Sequence, residues 1–532
     1  MKTKFIFETG GVLSGLGKGV TNASIGNLLK ARGYKIFAIK LDPYLNIDPS
    51  AMSPIEHGEV FVTADGGETD LDLGHYERFI DVKLSKDSSF TSGKIYTRIF
   101  ANERNGVYGG KTVQIVPHVI DEIINIILDN AKKYEPDFML IEIGGTVGDI
   151  ESNPFIYAIS KFAQMYPENV FFNHIAFVPY LSASKEYKSK PSQVSIATLR
   201  SFGINPNVLL LRSQGEVDES IITKIARSSF LDPKNVISIP DMANIFEIPL
   251  YLEEQHICDI ILNHFKMKSK FDGKVLLPWK QFVEKNRKEN KKNINIALVG
   301  KYAALEDSYL SIIMALKIAS IHQEVKFNYD LLDVETLAND KNIIILNNYD
   351  GAVILPGFNF RGFEAKVRIA NYVRENKIPT LGLAFGFQAM IIEQAQRKNI
   401  LSPTSEEFKK HIPNGTFIFK NTHPEIENYL HLGEDKILLT KSSLIHNIYK
   451  QDLIYERHRN RYDLDSKWTN QIEDDNFKLT GFNPNSNTIE VCELKNHPFY
   501  VGVQYQPEFN SRVLTSHPLF DTFIKTTIQN KK

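Results

Sequence analysis

A run of glycines around one lysine opens the chemistry of this chain: Gly10, Gly11, Gly15, Gly17 and Gly19 surround Lys18. Backbone N–H groups in such a loop can converge on phosphate oxygens, and an ammonium beside them supplies charge. The spacing departs from GxxxxGK[ST]: Gly11 lies one residue too far from Gly17, and Gly19 stands where a magnesium-ligating hydroxyl is usual. Lys40, in Lys40-Leu41-Asp42-Pro43-Tyr44, is a second candidate phosphate contact. Asp70 and Asp72 in GGETDLDLGHYERF, and Glu142 in FMLIEIGG, offer carboxylates for magnesium. That ion takes one or two carboxylates and completes its shell with phosphate and water. Singly, each carboxylate reads as a cap or surface group; beside a phosphate loop they read as a metal site.

Those residues need strands and helices to hold them. Lys4 to Glu8, Lys35 to Leu41, Phe138 to Ile143, Val208 to Leu211 and Val236 to Ile239 read as buried strands alternating with amphipathic stretches. The loop is followed by a helix expected over Asn22 to Arg32. This alternation predicts an α/β fold with a P-loop-type parallel sheet, whose ligands collect at the carboxyl edge. After Trp279 comes FVEKNRKENKKN, charged and without apolar periodicity, and then a new strand at Ile294 to Val299. Strands at Lys326 to Leu331, Ala352 to Leu355 and Thr380 to Leu383, with helices from near Ser308 and Glu364, predict a second α/β domain. The expected division is therefore 1–270, a linker at 271–292, and 293–532.

Composition narrows the classes. At 532 residues the chain exceeds one hydrophobic core. Its 62 basic and 63 acidic residues leave a net charge of -1, which gives no electrostatic reason to expect nucleic acid or a membrane as partner. Cys258 and Cys492 lie far apart without metal-type spacing, which suits a reducing cytoplasm. No long apolar run suggests a membrane span.

The segments LSGLGKGV, KLDPYLNIDPSAMSPIEHGEVFVTADGGETDLDLGHYERF, IEIGGTVGDIES and KSKPSQ resemble, in order, the signature segments of the CTP synthase family. The resemblance implies a first domain that binds ATP, Mg2+ and UTP, phosphorylates O4 of the uracil ring and lets ammonia displace the phosphate. It implies ATP contacts from Gly15, Leu16, Gly17, Lys18, Gly19 and Val20, with Lys18 and Lys40 neutralising charge during transfer. Asp72 and Glu142 are the implied magnesium ligands, and Asp241 and Met242 the implied adenine contacts. Ser14, the segment Asp149-Ile150-Glu151, the segment Lys188-Ser189-Lys190-Pro191-Ser192-Gln193, and Lys224 fall where the family holds UTP or the feedback inhibitor CTP. An ammonia path near Pro54, His57 and Val60, and a lid from Arg104 and Tyr108 to Lys111, follow from the same resemblance. So does a homotetramer. Without it, KSKPSQ reads as a solvated basic loop.

The second half is similar to a class I glutamine amidotransferase through NIALVGKY, GAVILPGFNFRG, PTLGLAFGFQ, YERHRNRY and VQYQPEF. Such a domain needs a cysteine nucleophile on a strand-to-helix elbow, a histidine base and an orienting carboxylate. The elbow residue here is Ala384, the histidine position holds Gln506, and only Glu508 remains. A glutamine amide is no general base near neutral pH. The loop expected to read Pro-Gly-Gly reads Pro356-Gly357-Phe358 and is one residue short. Glutamine hydrolysis is therefore expected to be absent, and Gly357, Phe385, Gly386, Phe387, Gln388, Glu407 and Arg459 form a vestigial glutamine pocket or serve as structural side chains. GTP, the family's effector of that hydrolysis, is left without an evident task. The reaction expected is ATP + UTP + NH3 to ADP + phosphate + CTP. The alternatives are a nonenzymatic nucleotide-binding scaffold that assembles with an active paralogue, and a partition-type P-loop ATPase, which explains neither GGTVGDIES nor KSKPSQ.

Overall fold

The structure, a computed structural model, describes every residue except 1, 14, 272–275, 290, 427–428 and 532. It comprises two compact units: Met1–Ala51 with Asp72–Val283, and Met52–Leu71 with Glu284–Lys532. The segment Met52–Leu71, expected to belong with the first half of the chain, thus groups with the second unit.

The first unit is built on β1 (Lys4–Gly10), β2 (Ile36–Asp42), β3 (Ser89–Thr91), β4 (Phe138–Ile143), β5 (Val170–Phe177), β6 (Val208–Ser213) and β7 (Val236–Pro240). These form one 7-stranded sheet, all parallel, in the order β7-β6-β5-β1-β4-β2-β3. β2 and β4 are buried at every residue, because crossover helices cover both faces. Four helices bear on the site: α1 (Lys18–Ala31), α2 (Asp72–Ile80), α3 (Ser92–Arg104) and α4 (Lys190–Ser201). The sequence reading does not include β5, VFFNHIAF, as a strand. Asn173 and His174 interrupt its apolar run, yet both are fully buried, and its aromatic content is the signal that could have found it.

In the second unit, β8 (Asn293–Gly300), β9 (Lys326–Asp333), β10 (Gly351–Ile354) and β11 (Thr380–Leu383) run parallel in the order β9-β8-β10-β11. Further along the chain come β12 (Leu453–Asn460), β13 (Ile489–Leu494) and β14 (Tyr500–Val503). β14 adds to β11 in parallel, and from β13 onward the sheet is mixed: antiparallel pairings lead to a final parallel pair, Thr416–Lys420 with Pro403–Ser405. Helices α5 (Leu310–His322), α6 (Phe363–Glu375) and α7 (Phe385–Arg397) pack into two apolar cores that include residues of these strands.

The stretch expected as a linker contains a helix, Leu277–Arg287, that buries Trp279, Phe282 and Val283. Trp279 Nε1 donates to the Phe246 carbonyl at 2.8 Å. Three apolar residues at i, i+3 and i+4 make a helical face that the surrounding lysines mask in the sequence. Among the described residues no helix is long and apolar enough to cross a membrane.

Candidate functional site

The glycine loop leaves β1 at the carboxyl edge of the first sheet and enters α1. Val12, Gly15 and Gly17 all take positive φ, 80°, 74° and 78°, so the loop turns in conformations that glycine adopts without penalty. Lys18 is the first residue of α1, and its ammonium donates to the Gly145 carbonyl in the loop after β4. Gly10 makes room for that side chain: a Cβ there would lie 2.9 Å from Lys18 Cδ. Gly19 has an equally local reason. A Cβ at this position would lie 1.9 Å from Asp72 Oδ1, so the carboxylate at the start of α2 occupies the place a Ser or Thr side chain would need.

Lys40, at the end of β2, is the hub of a buried charge cluster. Its Nζ lies 2.7 Å from Glu142 Oε1, donates also to Asp72, and is 4.0 Å from Asp42 Oδ1. Sheet register places Lys40 and Glu142 side by side, with Glu8 on the other flank of Glu142. Tyr76, one turn into α2, donates to Glu142 Oε2. Burial first, then the neighbouring Glu142 charge, push the Glu8 carboxyl well above the usual range, and neither of its oxygens has a partner. Burial likewise raises Asp42 to about 7 and holds His75 down at about 3. Lys18 is lowered by burial as well, against which the Glu142 charge acts. Glu8, Asp42, His75 and Tyr76 were missed from sequence. A glutamate inside the otherwise apolar KFIFETG was the available signal for the first.

The oxygen-only donor set of Asp72 and Glu142 fits magnesium, which binds through one or two carboxylates and phosphate oxygens. No group of three or more metal-ligating side chains occurs among the described residues. The Lys40 ammonium bridges the two carboxylates. Asp70 Oδ2 lies 3.6 Å from His57 Nε2 within the Met52–Leu71 segment.

The remaining predicted contacts follow strand ends at the same edge. Asp149, Ile150 and Glu151 come after β4, with Ile150 83% exposed. Lys188 to Gln193 lead from β5 into α4: Lys188 pairs with Glu186, Ser192 donates to the Phe177 carbonyl at 2.8 Å, and Gln193 Nε2 donates to Ser189 Oγ at 3.2 Å. Pro191 sits in the first turn of α4 behind Lys190, where its missing N–H costs nothing. Lys224 lies within the helix Glu219–Ser228. Asp241, just after β7, accepts from Arg212 at 2.7 Å, and Met242 follows it half-buried. Arg104 ends α3 with its side chain 87% exposed. Ser14 lies outside the described residues.

In the second unit Ala384 stands on a sharp elbow between β11 and α7. Its φ of 47° and ψ of -101° are costly for a residue with a Cβ, and its N–H donates to the Val503 carbonyl at 2.8 Å. Leu383 and Val503 are register partners, so Ala384 and Gln506 emerge from neighbouring strand ends. Gln506 Nε2 donates to Glu508 Oε1 at 3.3 Å, while Gln506 Oε1 and Glu508 Oε2 have no partner. Burial pushes Glu508 up to about 8. The elbow thus carries a methyl group at its tip, and the buried Gln506 and Glu508 side chains follow the neighbouring strand end.

Around the elbow, a Cβ on Gly357 would lie 2.8 Å from Lys301 Cε, and one on Gly386 would meet the Ile354 carbonyl at 2.1 Å. Phe385, Phe387 and Gln388 are buried, the last donating to the Tyr462 carbonyl at 3.3 Å. Glu407 Oε1 accepts from Asn359 N–H at 2.6 Å, and burial raises its pKa. Lys301 Nζ donates to the Asn359 carbonyl at 3.1 Å and is held down at about 8 by burial. Arg459 is directed elsewhere: Nη2 lies 2.8 Å from Glu68 Oε1, and the guanidinium covers the Phe358 ring at 4.9 Å. Arg461, which sequence reasoning passed over, is the arginine whose charge acts on Glu407. Arg457, Arg459 and Arg461 alternate in one run, and nothing local distinguishes them.

Comparison with known proteins agrees with both halves. The family pattern described as CTP synthase N-terminus matches residues 4–267, and that of glutamine amidotransferase class-I matches residues 304–526. A CTP synthase of Mycoplasmopsis pulmonis (strain UAB CTIP) is 52% identical over 533 residues, covering 99% of this chain and 98% of that protein. CTP synthases of Phytoplasma australiense and Onion yellows phytoplasma (strain OY-M) are each 43% identical, covering 99% and 100% of this chain and 97% and 99% of theirs. With a loop, a charge cluster and an elbow in matching order, and similarity along its whole length, the chain belongs to the CTP synthase family.

Proposed function

We propose that this chain makes CTP from UTP using ATP and free ammonia. The observation that carries the synthetic step is the cluster of Lys18, Lys40, Asp72 and Glu142 at the carboxyl edge behind the glycine loop. Loop N–H groups and Lys18 would hold the triphosphate, and Lys40 would neutralise charge on the transferred phosphoryl group, a step governed by positioning and electrostatics. Asp72 and Glu142 would hold Mg2+, which when bound supplies further neutralisation of triphosphate oxygens. Asp241 and Met242 would border the adenine, and Asp149 to Glu151, Lys188 to Gln193 and Lys224 the UTP, with CTP competing there as inhibitor. Phosphorylation turns O4 into a good leaving group, and ammonia attack at C4 expels phosphate.

Ala384 and Gln506 support ammonia as the nitrogen source, since neither supplies a nucleophile or a base. The nonenzymatic scaffold is not favoured beside 52% identity to a CTP synthase over nearly the full length. Self-association is supported by apolar side chains left exposed in the first unit, including Leu45, Ile47, Phe100, Val107 and Val116. The test is to supply purified protein with ATP, UTP and Mg2+ and compare ammonium chloride with glutamine. CTP is expected from ammonium only, and formation from glutamine at a similar rate would overturn the proposal.

A further inference from the structure

Beneath the glycine loop lies a buried hydrogen-bonded chain that the charge cluster does not use. His174 of β5 is the register partner of Thr9 of β1, and both are fully buried. His174 Nδ1 lies 2.9 Å from Thr9 Oγ1, and Nε2 lies 2.7 Å from Ser195 Oγ on α4. The Thr9 hydroxyl also reaches the Asn173 carbonyl at 3.3 Å. Burial first, and the Lys18 charge second, hold the imidazole down at about 3, so it is neutral at any working pH. A neutral imidazole donates through one nitrogen and accepts through the other. The direction of the hydroxyl at one end therefore fixes the direction at the other.

Gly11 rests directly on this chain. A Cβ at Gly11 would lie 1.6 Å from Ser195 Oγ and 3.3 Å from His174 Nε2, so no side chain separates the loop backbone from the His174–Ser195 hydrogen bond. Gly11 N–H is itself tied to the Ile175 carbonyl at 3.0 Å, next to His174 on β5. Ser195 is on the helix whose first turn carries Lys190, Ser192 and Gln193. Close packing passes a small displacement of Gly11 to Ser195, because the interface has no slack to absorb it.

We infer that Thr9, His174 and Ser195 are positioning residues that couple the phosphate loop to α4, so that a nucleoside triphosphate in the loop sets the affinity of the Lys188–Gln193 segment for a pyrimidine nucleotide. This rests on the assignment of those two segments to ATP and UTP given above. A purely structural chain would contribute stability and leave the two affinities independent.

The test measures UTP binding by calorimetry to the full-length protein with Mg2+, with and without a non-hydrolysable ATP analogue. Wild type is expected to bind UTP about 10-fold more tightly with the analogue, within the usual range of site coupling. Ser195→Ala, and Thr9→Val, which keeps the shape and loses the hydroxyl, are expected to bring that ratio to about 1. Thr9→Ser, which keeps the hydroxyl, is expected to retain it. A lowered melting midpoint with the full ratio preserved in Ser195→Ala would overturn the inference in favour of a structural chain. A wild type that binds UTP equally with and without the analogue would overturn the coupling alone, whereas one that binds no UTP would overturn the functional reading with it.

Discussion

Lys40 Nζ sits 2.7 Å from Glu142 Oε1, its neighbour across the β2–β4 ladder, and the same ammonium reaches Asp72 at the start of α2. One cation therefore satisfies carboxylates from two elements, in a site where the ammonium and both acids are largely withdrawn from water. Lys40→Met removes the charge and keeps the length. It is expected to cost about 3–5 kcal/mol of stability, because buried carboxylates lose their partner. CTP formation from ammonium is expected to fall by about 10²–10³-fold, the usual cost of losing one preorganised electrostatic contact. Denaturant unfolding and the ammonium-dependent assay check the two effects separately.

Gly19→Ser would bring the loop closer to the standard phosphate-loop pattern, and it is expected to harm this protein. The new Cβ would lie 1.9 Å from Asp72 Oδ1, so the Asp72 carboxylate must move aside and the Lys40–Asp72 contact breaks. Loss of synthetic activity by about 10²-fold or more is expected. Activity at the wild-type level would show that the carboxylate yields without consequence.

Ala384→Cys alone is expected to leave glutamine hydrolysis undetectable. The new thiol would stand on a formed elbow, but Gln506 Nε2 is an amide donating to Glu508 and cannot accept a proton. Ammonia release from glutamine by the single variant would refute this account of the site.

Glu508 gives a pH signature with a definite sign. Its folded pKa of about 8 lies above the ordinary carboxyl value, so the neutral form is favoured in the folded state. The stability it contributes is full below about pH 4.5 and is lost as pH rises through about 8. Glu508→Gln keeps the shape without the proton. The difference in melting midpoint between variant and wild type is expected to grow in the variant's favour from pH 5 to pH 8.5. Taking the difference cancels the other titrating groups, and a difference independent of pH would refute the assignment.

Glu59 anchors the Met52–Leu71 segment to the second unit. Its Oε2 accepts from Ser311 N–H at 2.8 Å and its Oε1 from the Ser311 hydroxyl, in the first turn of α5, where the helix supplies no acceptor of its own. Glu59→Ala is expected to cost about 1 kcal/mol, as the loss of a helix cap does. Faster hydrogen exchange is expected at Ser311 and across 52–71, read by mass spectrometry of peptides from the intact protein.

The sequence alone determined the parts whose chemistry is carried by short runs. The glycine loop with Lys18, the acids Asp72 and Glu142, and the presence of Ala384 and Gln506 where the amidotransferase resemblance expects a cysteine and a histidine are all local facts. A strand ending in a glycine turn before a helix fixes its own geometry. Alternating buried strands likewise announced a parallel sheet and a second α/β domain, although the helix over Leu277–Arg287 passed as a linker because charged and polar residues surround its three-residue apolar face.

Only the tertiary structure decided which distant side chains meet. Thr9 and His174 are 165 residues apart, and Arg459 and Glu68 are 391 apart, so no local pattern pairs them. Strand order does: β5 lies beside β1, and Met52–Leu71 packs with β12 in the second unit. Glu8 is a buried acid because strands flank β1 on both sides, and β4 places the like charge of Glu142 next to it. Spacing along the chain dictates which groups a loop can offer; burial and register, set by the packing of whole strands, dictate what those groups face.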